Sequence, residues 1–108
     1  MQEVQKISCS NSAAFVMNFW VEYLNPSTGE IVAVDGSGTG NYPVGQQRTV
    51  DLDTLNVPDG ALVRPHVQAV LGTNNPGNKF VTYRRGSGGV ATYNVTGTTL
   101  NFWVTLVE

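Results

Sequence analysis

Charge is the scarcest property of this chain. Asp, Glu, Lys and Arg make up 13% of its 108 residues, about half the ordinary share of ~25%. A disordered chain would carry far more. The net charge is −2, and the only adjacent basic pair is Arg84-Arg85. Generic nucleic-acid binding needs a clustered positive field, so no nucleic-acid partner is expected. Cysteine and histidine occur once each, as Cys9 and His66. One cysteine closes no internal disulfide, and one of each residue cannot build a structural zinc site. Cys9 is expected as a small, half-buried residue of a first strand. Long apolar runs are missing too: nothing approaches the ~18 residues that span a bilayer. The polar start Met1-Gln2-Glu3-Val4-Gln5-Lys6 has no apolar signal core, so the expected location is cytoplasmic, or outside the cell by a route without a signal peptide.

Helical periodicity is also lacking, because Gly or Pro interrupts the chain every few residues. What remains is alternation. The word Asn-Phe-Trp-Val occurs at 18–21 and again at 101–104. With a period of two, Phe15, Met17, Phe19, Val21 and Tyr23 share one face, and so do Leu100, Phe102, Val104 and Leu106. Val63, Val67, Ala69 and Leu71 form a third such row. These rows are the expected core. Turns are marked by Asn25-Pro26-Ser27-Thr28-Gly29, which makes 15–34 a hairpin, by Asn56-Val57-Pro58-Asp59-Gly60, and by Gly86-Ser87-Gly88-Gly89. The stretch 35–41, with its three glycines, is expected to be the most flexible segment, and 72–78 to be a loop. Pro65 interrupts an otherwise regular strand, so that strand is placed at an edge or given a kink. The expected fold is all-β: a single domain over 1–108, an antiparallel β-sandwich of about eight short strands, with a small closed barrel as second choice.

No catalytic motif emerges. The Gly-x-Gly-x-Gly spacing at 36–40 misses the dinucleotide fingerprint, and Tyr42-Pro43 cannot open the helix that fingerprint needs. No nucleophile turn is present, and nothing in the sequence requires Cys9 to meet His66. Asp35 beside Ser, Thr and Asn oxygens is the best corner for a cation, but no loop offers the several converging carboxylates calcium prefers. The expectation is a protein that is not an enzyme and takes no cofactor or metal.

The informative residues are aromatics among amides. If the two strands that share a word pair in register, Trp20 and Trp103 lie on one outer face with Asn18 and Asn101. Such a face suits sheet-on-sheet packing, a subunit interface, or a platform against which a sugar ring stacks. Loop residues Tyr42, Asn74, Asn75 and Asn78, with Tyr83 and Arg84 from an expected strand at 79–85, add further polar recognition groups. In composition and strand spacing the chain resembles small disulfide-free β-sandwich lectins and small β-sandwich membrane-binding proteins. The function expected is a non-catalytic, lectin-like module for neutral glycans or glycoconjugates, assembled as a homo-oligomer. The alternatives are a self-assembling structural protein and a membrane-active β-sandwich toxin that meets a membrane surface through its aromatic residues.

Overall fold

The structure is a computed structural model that describes residues 2–107. Its strands are β1 (Glu3–Val4), β2 (Lys6–Asn11), β3 (Met17–Leu24), β4 (Ile31–Ala33), β5 (Gln47–Asp51), β6 (Leu62–Ala69), β7 (Asn74–Pro76), β8 (Val81–Tyr83), β9 (Val90–Thr98) and β10 (Asn101–Leu106). One 3-10 turn, Leu52–Thr54, follows β5, with the Asp51 carboxylate accepting from the Asp53 N–H. Two sheets pack face to face as a sandwich, and neither closes into a barrel. The first sheet runs β1-β8-β6-β3-β4, with β7 also pairing to β6; the second runs β10-β9-β2-β5.

The alternating rows point inward. Met17, Phe19 and Val21 from β3, Val63, Val67 and Ala69 from β6, and Phe102, Val104 and Leu106 from β10 are all buried. The 15–34 hairpin forms as β3 pairs with β4. Two expected core leucines do not join them. Leu71 and Leu100 have the right parity, but β6 has ended at Ala69 and β10 has not begun, so both stand on turns in solvent. Cys9 is fully buried rather than half-buried.

The sheets are mixed rather than purely antiparallel: β1 runs parallel to β8, and β2 parallel to β9. Residues 3–11 cross from one sheet to the other at Gln5, where the Gln5 and Lys6 N–H groups both donate to Gly89 O. Alternation sets which side chains face inward; it carries nothing about strand direction.

Pro65 is not on an edge strand. β6 pairs along its whole length with β3. On its other flank it pairs with β8 at Leu62 and Val63, and with β7 from His66 to Gln68. Pro65 falls in the seam between those two partners, where a missing N–H interrupts no ladder. Its carbonyl still accepts from the Gly77 N–H, at 2.8 Å.

Residues 36–41 are not a free loop. Ser37 Oγ accepts from the Val21 N–H and donates to Val34 O, and Thr39 Oγ accepts from the Phe19 N–H. These hydroxyls, with Thr39 N–H to Phe19 O, replace an edge strand alongside β3.

Candidate functional site

The two copies of the repeated word lie in different sheets, β3 in one and β10 in the other. Trp20 and Trp103 therefore occupy opposite outer faces, and the in-register pairing that would have joined them does not occur. A shared word records the same face pattern twice; it does not make the two strands neighbours.

Trp103 anchors the more open of the two surfaces. β10 is the edge of its sheet, and its even-numbered residues turn their peptide groups away from β9. Chain 75–78 runs along this edge and satisfies it. Asn75 Nδ2 donates to Phe102 O at 3.0 Å, the Asn78 N–H donates to Val104 O at 2.9 Å, and the Leu106 N–H donates to Asn78 Oδ1 at 2.8 Å. The seam leaves a groove of about 320 Å³ lined by Asn75, Pro76, Asn78, Trp103 and Thr105, with Phe102 and Val104 beneath. No lining residue is ionisable. Trp103 is 57% exposed at its lip. Across the ladder it faces Thr96, while Asn101 faces Thr98 and Thr105 faces Asn94, so a field of neutral hydroxyls and amides surrounds the indole. Asn75 and Asn78 each spend one amide atom on β10; Asn75 Oδ1 and Asn78 Nδ2 make no hydrogen bond among the described residues.

The opposite face is a closed network. Glu22 is buried and accepts from Arg64 Nε at 2.7 Å and from His66 Nδ1 at 2.9 Å. His66 Nε2 meets Asn74 Oδ1 at 2.7 Å. Burial alone would raise the Glu22 carboxyl, but the hydrogen bonds from His66 and Arg64 outweigh it and hold the group below the usual carboxylate range. The hydrogen bond to Glu22 raises the imidazole, against the opposing effect of its burial. The Arg64 guanidinium also lies over Phe80, 4.4 Å from the ring centroid.

The expected site residues thus divide. Trp103, Asn101, Asn75 and Asn78 come together at the β10 edge. Trp20, Asn18 and Asn74 lie on the far sheet, with Asn18 bonded to Asn41 and Asn74 to His66. Tyr42 and Tyr83 are core residues with no ring to offer a ligand: their hydroxyls donate to Cys9 O at 2.9 Å and to Asp53 Oδ1 at 2.7 Å. Burial raises both phenols. Arg84 pairs with Glu3 at the other end of the molecule, at 2.8 Å. Pro76 and Thr96 join the Trp103 surface without having been singled out. Thr96 lies on β9, directly across from Trp103, a register invisible until the strands are paired.

Cys9 points into the core and burial drives its thiol pKa well up, while His66 lies on an outer face, so the two do not form a catalytic pair. Among the described residues no group of three or more His, Cys, Asp or Glu side chains is placed to hold a metal, and no helix is long and apolar enough to cross a membrane. No protein-family model matches the chain, and no curated protein matches it.

Proposed function

We propose that this protein is a non-catalytic binding module for neutral glycans, with the saccharide seated at the β10 edge against Trp103. The observation that carries this reading is an exposed indole at the lip of a groove that contains amides and hydroxyls but no charge. The apolar side of a sugar ring packs on an indole, and its hydroxyls exchange water for fixed neutral donors and acceptors. Asn75 Oδ1, Asn78 Nδ2 and the Thr105 hydroxyl supply both kinds. An ionic ligand would find no countercharge there. The volume, about 320 Å³, is at the low end of small-ligand sites, about 300–1,000 Å³, and fits one sugar ring better than a long chain. A shallow single-ring site binds weakly, so the proposal includes a homo-oligomer whose repeated sites raise avidity.

The test is a binding screen of the full chain against immobilised neutral glycans, followed by titration calorimetry on any hit. Binding that Trp103→Ala abolishes, with the melting temperature unchanged, supports the reading. Failure to retain any neutral glycan at high protein concentration would overturn it, as would a ligand whose affinity ignores Trp103.

A further inference from the structure

The two ends of the sandwich differ sharply in character. At one end, four turns at 12–16, 42–46, 70–73 and 98–100 are tied together by backbone bonds: Val70 N–H to Val16 O at 2.9 Å, Thr73 N–H to Thr99 O at 2.9 Å, Ala14 N–H to Gly97 O at 3.1 Å and Gly45 N–H to Asn11 O at 2.8 Å. Buried Asn11 reaches Phe15 O with its amide at 2.8 Å and Tyr42 O at 3.3 Å. None of the residues in these turns is an Asp, Glu, Lys, Arg or His, the one phenol, Tyr42, is buried, and each turn presents a large aliphatic side chain: Val16, Val44, Leu71 and Leu100. Leu71 is 99% exposed and Leu100 78%. The opposite end, with its turns at 25–30, 52–61 and 84–89, carries Glu30, Asp53, Asp59, Arg84 and Arg85.

We infer that the uncharged end is a lipid-docking end, which seats Val16, Val44, Leu71 and Leu100 in the surface of an electrically neutral bilayer. Separate protruding tips suit a fluid medium that closes around each side chain, whereas a protein partner would need a matching hollow for every one. Absence of charge removes the penalty for approaching hydrocarbon, and a net charge of −2 gives no attraction to anionic lipid. Leu71 adds an independent sign. Its φ is +61°, a left-handed conformation unfavourable for a leucine. Gly72, whose missing Cβ would lie 2.3 Å from Thr99 O, locks the turn that holds it outward. An unfavoured backbone that keeps a leucine in water is accounted for if the leucine acts elsewhere. Trp103, about 10 Å along the strand from Leu100, then lies at headgroup level, where tryptophan is enriched. The docking end stands without the glycan reading, because Val16, Val44, Leu71 and Leu100 line no part of the groove; only Trp103 is common to both.

The experiment is co-sedimentation of the full chain with phosphatidylcholine vesicles at low and high salt, beside the double variant Leu71→Asn/Leu100→Asn. Asparagine tolerates the left-handed conformation better than leucine, so the variant folds with an equal or higher melting temperature. The wild type should pellet with vesicles equally at both salt concentrations, and the variant's partition should fall by about tenfold or more. Wild-type protein that stays in the supernatant overturns the inference, as does a double variant that pellets like the wild type. Binding that requires anionic lipid and vanishes in salt also overturns it. So does sedimentation velocity that shows a lipid-free dimer, lost in the variant, with no pelleting on vesicles; that result would assign the end to a second copy of the chain.

Discussion

Trp20 lies flat on His66. The two rings are 4.8 Å apart at their centroids and inclined by only 9°, as direct cross-strand partners on β3 and β6. Glu22 and Asn74 present an oxygen to each imidazole nitrogen. Two acceptors beside the ring favour the imidazolium form, the direction in which the His66 pKa is raised, and a cation against an indole gains from the ring quadrupole. One of the two tryptophans is thereby committed to a structural stack, and the other, Trp103, is the exposed one.

Stability should depend on pH through this cluster. His66 has a raised pKa when folded, so its contribution is fully present below the unfolded imidazole value of about 6.5 and is lost as pH rises through the folded one. Glu22 has a lowered pKa, so its contribution is present above the unfolded carboxylate value of about 4.3 and is lost as pH falls through the folded one. The melting temperature should therefore peak between roughly pH 4.5 and 6.5. His66→Gln should flatten the decline on the alkaline side and leave the acid limb in place. The chain has one histidine, so its imidazole proton resonance titrates without ambiguity, and a midpoint at or below the unperturbed value would refute the paired geometry.

Phe102 packs on Phe15 across the sandwich, with centroids 5.0 Å apart and planes at 58°. Both are buried. Phe102→Ala should destabilise the fold by about 3–5 kcal/mol, through lost transfer energy and the cavity left behind. Leu100→Ala, two residues away with the same parity, should cost less than about 0.5 kcal/mol, since Leu100 is on a solvent-exposed turn. Chemical denaturation of both variants separates a buried row from one that stops short.

That contrast marks where the sequence was legible. Alternation identified the inward faces of β3, β6 and β10, because each face repeats every second residue and needs no partner to be read. Strand ends were harder: Leu71 and Leu100 continue the pattern for one step after the chain has turned. Pairing lay beyond it altogether. Asn-Phe-Trp-Val at 18–21 and at 101–104 suggested neighbouring strands, yet the copies lie in separate sheets. Pro65 suggested an edge or a kink, and the edge does not hold: β6 is interior, because two short strands share its far side. Of the residues that line the proposed groove, Trp103, Asn75 and Asn78 were picked out by residue type. Their assembly depends on β7, an Asn-Asn-Pro segment with no apolar alternation to announce it. Tyr42, at the end of a loop-like stretch, and Tyr83, on a short strand beside Arg84-Arg85, misled because a tyrosine among polar residues looks exposed, while a single acceptor for its hydroxyl is enough to bury it.

Two glycines should respond oppositely to the same change. Gly97 faces Phe102 across the β9–β10 ladder with φ +124°, and a Cβ there would lie 2.5 Å from Asn101 O and 2.7 Å from Phe102 Cα. Gly97→Ala combines backbone strain with a clash against main chain that cannot swing aside, and should cost about 2–3 kcal/mol or more. Gly38 has nothing within 4 Å of its would-be Cβ and no positive φ. Gly38→Ala should be neutral or stabilise by up to about 1 kcal/mol, by narrowing the unfolded ensemble. Equal effects at both positions would contradict the described β9–β10 turn.

Cys9 should behave as a clock for unfolding. Its side chain is fully buried between the sheets, and burial holds its thiol pKa well above the ordinary value, so both the access and the thiolate needed for attack on a disulfide reagent are missing in the folded state. In native buffer an aromatic disulfide such as dithiobisnitrobenzoate should label the protein only as fast as it opens, and raising the pH by one unit should not give the tenfold acceleration of a free thiol. In denaturant the same residue should react at once and stoichiometrically. The double variant Leu71→Asn/Leu100→Asn, altered only on exposed turns, should label no faster than the wild type. Phe102→Ala, which destabilises the core that both residues share, should label faster by at least about tenfold. Rapid labelling of the native wild type would place Cys9 at the surface and reverse the inward face of β2.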